Sequence, residues 1–103
     1  MKAKLVITTY ENESEADKIA KIIIEKKLAV CATRFQTKST YHWKGQVEIA
    51  DEYLVIFKTL ELKTEALKDE ILKTHSYKIP EILEIDLNSV NDSYLEWMKG
   101  NLI

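Results

Sequence analysis

The chain holds one cysteine, one proline and two glycines among 103 residues, and Arg34 is its only arginine. A single cysteine, Cys31, excludes an intrachain disulfide and fits a reducing compartment. With Pro80, Gly45 and Gly100 as the only strong breakers, there is little room for long loops. No apolar run approaches the ~18 residues of a membrane span. Met1-Lys2-Ala3-Lys4 passes straight into Leu5-Val6-Ile7, too short an apolar stretch for a signal peptide and without a cleavage pattern. The expected location is the cytoplasm, with no membrane partner. A formal net charge of −2 lacks the basic excess that non-specific nucleic-acid binding requires. There is no Gly-rich phosphate loop and no CxxC, HxH or HExxH spacing. No nucleophile and base stand together in sequence, so no catalytic residue is assigned and a non-enzyme is expected.

What is present suffices for a core: 46% of the residues are hydrophobic, and the length suits one domain spanning 1–103. A domain of this size buries only about two-thirds of its unfolded surface, so association would stabilise it.

The dominant stretch is Ser39–Thr59, rich in aromatic and β-branched residues. Lys44-Gly45 is its turning point, because glycine accepts the positive φ of a tight hairpin. The flanking arms, Leu28–Trp43 and Gln46–Thr59, contain neither Gly nor Pro. At ~3.3 Å per residue, fifteen-residue arms reach roughly 45–50 Å, too long for so small a domain to cover. Part of the ribbon must project, and an apolar projecting ribbon calls for a partner chain.

Around it, Lys4–Tyr10 reads as a strand with a continuous apolar run. Asn12 caps a helix running to about Lys27, with Glu15 completing a capping box; Ala16, Ile19, Ala20 and Ile23 share its apolar face. Lys63–Thr74 is a second helix burying Ala66, Leu67 and Ile71. Pro80 keeps His75–Pro80 out of helix. Glu81–Leu87 is a last strand, and Asn91 caps a terminal helix carrying Tyr94, Leu95, Trp97 and Met98. The fold class is therefore α+β: a ferredoxin-like βαββαβ with a four-stranded antiparallel sheet, a long central hairpin and a C-terminal helix. Its first and third strands are central, and the first hairpin arm is an edge open to another chain.

Several residues invite a chemical reading. Lys58 ends the apolar run Leu54-Val55-Ile56-Phe57, where an ammonium must reach water or meet a carboxylate such as Glu52 or Glu48. Tyr41 and Trp43 share one face of the ribbon, as interface aromatics do, and Tyr53 flanks the same turn. Cys31, His42 and His75 are the only strong soft-metal donors besides the thioethers of Met1 and Met98. A mid-strand cysteine is usually an inert small hydrophobe, and a histidine at a helix C-terminus is favoured there by the dipole.

Taken together, Leu28-Ala29-Val30-Cys31-Ala32, Ser39-Thr40-Tyr41-His42-Trp43-Lys44-Gly45, Glu52 through Phe57-Lys58-Thr59, His75-Ser76-Tyr77-Lys78-Ile79-Pro80-Glu81-Ile82 and Tyr94-Leu95-Glu96-Trp97 resemble the CutA family of divalent-cation tolerance proteins. The resemblance covers essentially the whole chain, in order. It implies a homotrimer built by the long hairpins, a role in copper or divalent-cation tolerance, and no established reaction. No cofactor is required; copper or another divalent cation is the implied ligand, with His75 and Cys31 as the metal candidates. The family is also similar to the trimeric PII signalling proteins. That gives an alternative: a sensor or scaffold binding a small anion in clefts between subunits. The pocket cluster carried over is Tyr41, Trp43, Glu52, Lys58, His75 and Tyr77. Some bacterial members carry a cysteine near the end of the first strand and a histidine pair before Tyr-x-x-Pro. Here Thr8 and Thr74 stand at those positions, and hydroxyls are poor ligands for soft copper. Ser76 replaces the usual proline between His75 and Tyr77, which predicts a less rigid approach to Pro80.

Overall fold

A computed structural model describes residues 1–103. The elements run β1 (Ala3–Tyr10), α1 (Glu13–Glu25), β2 (Cys31–Trp43), β3 (Gln46–Leu60), α2 (Glu61–Thr74), β4 (Leu83–Asp86) and α3 (Asp92–Leu102). The strands form one antiparallel sheet in the order β2-β3-β1-β4. This is the expected ferredoxin-like arrangement, with β1 and β3 central.

Several boundaries move, each for a local reason. The first hairpin arm begins at Cys31 rather than Leu28, because Leu28 still belongs to the end of α1. Its N–H donates to the Ile23 carbonyl at 3.1 Å while Lys27 N–H donates to Ile24 at 3.0 Å. That is a Schellman closure, and Lys27 takes it at φ 58° in a position glycine usually fills. Helix α2 starts at Glu61, two residues early, because Leu60 occupies the N-cap with no polar side chain to announce it. Its buried set is Thr64, Leu67, Glu70 and Ile71, and Ala66 is exposed. Glu70 can be buried because Lys26 and Lys73 reach it at 3.1 and 3.3 Å. Asn12 caps α1, accepting from Glu15 N–H at 2.9 Å. Asn91 sits at the N-cap of α3 but makes no side-chain cap bond; its Nδ2 donates to Ser93 Oγ at 3.1 Å.

Strand alternation divides the sheet into two faces. Val6 and Tyr10 of β1 and Val55 and Phe57 of β3 point at the helices and pack with Ile19, Ile23, Leu67 and Ile71. The opposite face carries Leu5 and Ile7, Cys31, Thr33 and Phe35, Leu54, Ile56 and Lys58, and Leu83 and Ile85, as the strand register requires. Helix α3 covers one end of this second face, burying Met98 and Leu102 against Ala3 and Leu60. The remainder is open, with Phe35, Leu83 and Ile85 exposed.

The hairpin turns at Lys44 and Gly45, with φ values of 50° and 78°; two positive values are the type I′ geometry that suits the strand twist. The ribbon contributes to a long molecular dimension of 45 Å. Past the helices both its faces are bare. Tyr41 and Trp43 are exposed on one, Val47 and Ile49 on the other.

Candidate functional site

Strand β4 pairs only with Lys4–Ile7 of β1. The far end of β1, paired there with β3 alone, is open on its β4 side, and the segment between α2 and β4 brings His75 and Tyr77 to it. His75 stacks on Tyr10 at 4.4 Å between ring centroids, with an interplanar angle of 12°, and leans on Tyr77 at 5.1 Å. The Tyr77 N–H donates to His75 Nδ1 at 3.1 Å. A backbone N–H can only donate, so the neutral ring carries its proton on Nε2, which lies 3.1 Å from the Thr8 hydroxyl. The Tyr77 hydroxyl donates to Glu52 Oε2 at 2.7 Å. Burial, reinforced by the Glu52 carboxylate, pushes the Tyr77 phenol well above its ordinary range, so it remains a donor. Thr8, Tyr10 and Glu52 are all buried.

Glu15 closes this site from α1. Its carboxylate accepts from Ser76 N–H at 3.1 Å and from Ser76 Oγ at 2.8 Å. The second half of the expected capping box is thus absent, since Glu15 turns outward to the loop instead of back to Asn12. The same contacts overturn the expected slackness at Ser76. A proline could make neither of these bonds, and the serine ties the loop to α1. The Tyr10 hydroxyl is buried with no hydrogen-bond partner, and burial raises its pKa far above the ordinary phenol value, with the Glu15 charge adding to the shift.

The cluster carried over from the sequence is split within the protomer. Glu52, His75 and Tyr77 come together. Tyr41 pairs across the ribbon with Glu48, and Trp43 with Gln46 near the tip. Lys58 lies six residues along β3 from Glu52, about 20 Å away. Its Nζ sits 5.9 Å above the Tyr94 ring, which in turn tilts against Trp97 at 5.2 Å. Cys31 is the cross-strand partner of Lys58, on the opposite sheet face from Thr8, Tyr10 and His75. His75 and Cys31 are therefore not brought together, and no group of three His, Cys, Asp or Glu side chains converges in the protomer. Thr74 points its hydroxyl back at the Glu70 carbonyl, 2.7 Å away. The resemblance sets Thr8 in one ligand trio with Thr74 and His75, and the Thr8 hydroxyl does lie beside the ring; sequence reasoning missed Tyr10 as its stacking partner and Glu15 as the anchor of Ser76. Period-two spacing places Thr8 between Val6 and Tyr10 on the helix side, but nothing local places residue 75 beside them.

His75 also sets a pH response. Burial holds its pKa below the ordinary value, against the opposing pull of Glu15, the Thr9 backbone and Glu52. The fold thus favours the neutral ring, and on acidification the unfolded chain takes its proton first, near about pH 6.5. The resulting stability is complete above that pH and is lost as pH falls through the lower, folded value. Thermal unfolding between pH 7 and 5 is expected to show Tm falling in the native chain. His75→Phe, which keeps the stack, should flatten that slope; an unchanged slope would remove His75 as its source.

A family model described as "CutA1 divalent ion tolerance protein" matches residues 4–101. The chain belongs to this family. It is 34% identical to the divalent-cation tolerance protein CutA of Thermotoga maritima over 96% of this chain and 98% of that one. With the namesake of Thermococcus kodakarensis it shares 37% over 95% of this chain and 94% of that one. The solved structure of the Archaeoglobus fulgidus periplasmic divalent cation tolerance protein CutA superposes with a TM-score of 0.95 at 34% identity, covering 98% of this chain and 99% of that one. The Pyrococcus horikoshii CutA1 structure does so with a TM-score of 0.93 at 32% identity, covering 97% and 98%. CutA1 membership agrees with the βαββαβ order, the hairpin and the C-terminal helix.

Proposed function

We propose that this CutA1 chain is the subunit of a cytoplasmic homotrimer that serves in the response to divalent cations, copper among them, and that it catalyses no reaction. The observation that carries this reading is the open face of the sheet. The sheet is apolar on both sides, with the two long helices over one side and only α3 over one end of the other. Phe35, Leu83 and Ile85 on its bare face, and Tyr41, Trp43, Val47 and Ile49 on the projecting ribbon, are exposed. Phe35, Tyr41, Trp43, Leu83 and Ile85 all belong to the open face, and exposed apolar side chains gathered on one face mark an interface. Three copies joined through these faces would enclose the clefts in which Tyr41, Trp43, Glu52, His75 and Tyr77 meet a ligand. The small-anion sensor gains no support from the relatives, which are named for divalent-cation tolerance.

Both nitrogens of His75 are engaged within the protomer, so a metal would have to displace Tyr77 or Thr8 to reach a lone pair. Light scattering on the purified protein is expected to give three times the chain mass. Titration with Cu(II) is expected to give weak binding, micromolar or poorer, that His75→Ala leaves unchanged. A monomeric mass would sink the assembly reading. A tight copper site lost in His75→Ala would place the metal on that ring.

A further inference from the structure

The Tyr10 hydroxyl is the one buried side-chain polar atom of the chain without a hydrogen-bond partner. Tyr10 is fully buried, and a buried donor left without an acceptor carries its whole desolvation penalty. An acceptor stands close by. The Glu15 charge acts on the Tyr10 phenol, but both oxygens of that carboxylate are taken by Ser76, one by its N–H at 3.1 Å and the other by its hydroxyl at 2.8 Å. The two claimants differ in their surroundings. Ser76 is exposed, so on release its N–H and hydroxyl pass to water at little net cost. Tyr10 has no water to turn to, and only an inward swing of the carboxylate would satisfy it. The segment that Ser76 secures covers His75. The ring stacks on Tyr10 at 4.4 Å between centroids, and its Nδ1 accepts from the Tyr77 N–H at 3.1 Å. Letting go of Ser76 frees the backbone that carries this N–H, and with it the Nδ1 lone pair.

We propose that Glu15 is a two-position latch, holding Ser76 in a closed state and the Tyr10 hydroxyl in an open state that uncovers His75. The closed state has two bonds to the carboxylate and one stranded donor; the open state has one bond and no stranded donor. The latch gives the unsatisfied hydroxyl a role, since it is the unpaired donor that draws the carboxylate away from the loop. It is particular to a chain with serine at position 76, because a proline there has neither an N–H nor a hydroxyl to offer. It lies within one protomer, between α1 and the loop that follows α2, so it goes beyond the assembly reading and does not depend on it.

Amide hydrogen exchange at Ser76 and Tyr77, measured on the full chain, reads the open fraction. Exchange at Phe57, in the core, corrects for any change in global stability. Tyr10→Phe keeps the ring that His75 stacks on and removes only the hydroxyl. It is expected to slow loop exchange by about tenfold, because the closed state sheds its stranded donor and the open state loses its one bond. Ser76→Ala, at the surface, frees one carboxylate oxygen. It is expected to speed exchange at Tyr77 and to shift the Tyr10 Cζ resonance in the carbon spectrum as the phenol becomes a donor. The deciding comparison repeats Tyr10→Phe in a Glu15→Ala background. With the latch gone, loss of the hydroxyl should leave loop exchange unchanged, which is the coupling that a double-mutant cycle isolates. Equal slowing in both backgrounds, or none in Tyr10→Phe alone, overturns the latch. So does a Tyr10 resonance that stays in place in Ser76→Ala.

Discussion

Val55→Asp is expected to yield no folded protein, whereas Ile56→Asp yields a folded chain that no longer assembles. The two residues are adjacent on β3 but face opposite ways. Val55 is fully buried between the sheet and both long helices, in contact with the cluster that includes Val6, Ile19, Leu67 and Ile71. A carboxylate there has no water, and the cross-strand neighbour Arg34 is already committed to Asp17 at 2.8 Å; such a burial costs several kcal/mol. That is comparable with the whole ~5–15 kcal/mol stability of a domain. Ile56 pairs with Ile7 and Thr33 on the open face, where the lone protomer leaves it partly solvated. Aspartate there can keep its water, so the protomer's own core survives, but a face that must dock on another copy is spoiled. Circular dichroism and light scattering on the two purified variants separate the outcomes. A trimeric Ile56→Asp would place the interface elsewhere, and folded Val55→Asp would contradict the core assignment.

That contrast also shows how far the sequence could be read. Period-two alternation is a local signal, so the strands, the turn at Lys44-Gly45 and the ferredoxin-like order were legible from residue pattern alone. Which of the two alternating sets faced the helices was not, because Leu54-Val55-Ile56-Phe57 is apolar on both sides. The same ambiguity hid the separation of Lys58 from the His75 cluster. Sharing a face with Glu52 suggested a shared pocket, but strand rise converts six residues into a span no side chain crosses. At Glu15 the capping-box spacing was present and the bond was not, since Ser76, distant in sequence, offered its carboxylate two donors. The placement of His75 beside Thr8 and Tyr10 depends on β4 being too short to shield the end of β1. That fact concerns pairing, not any residue near position 75.

Phe57→Ala should produce the largest loss of stability among conservative core truncations. Phe57 is fully buried, lies between Val6 and Ala32 across the central strands, and packs into the main cluster. Removing its ring leaves a cavity that two neighbouring strands and two helices cannot all close, at a cost of about 3–5 kcal/mol. The side chain points away from the open face, so the variant should keep the native association surface. If folding is coupled to assembly, mass action makes Tm rise with protein concentration in native and variant chains alike. The variant's curve should then be displaced downward and run parallel to the native one. Calorimetry over a hundredfold range of concentration, a factor of about 2.7 kcal/mol in chemical potential, would read this. A Tm independent of concentration in both proteins would mean that the protomer's stability does not draw on its neighbours. A steeper dependence in Phe57→Ala would mean that its cavity had reached the interface after all.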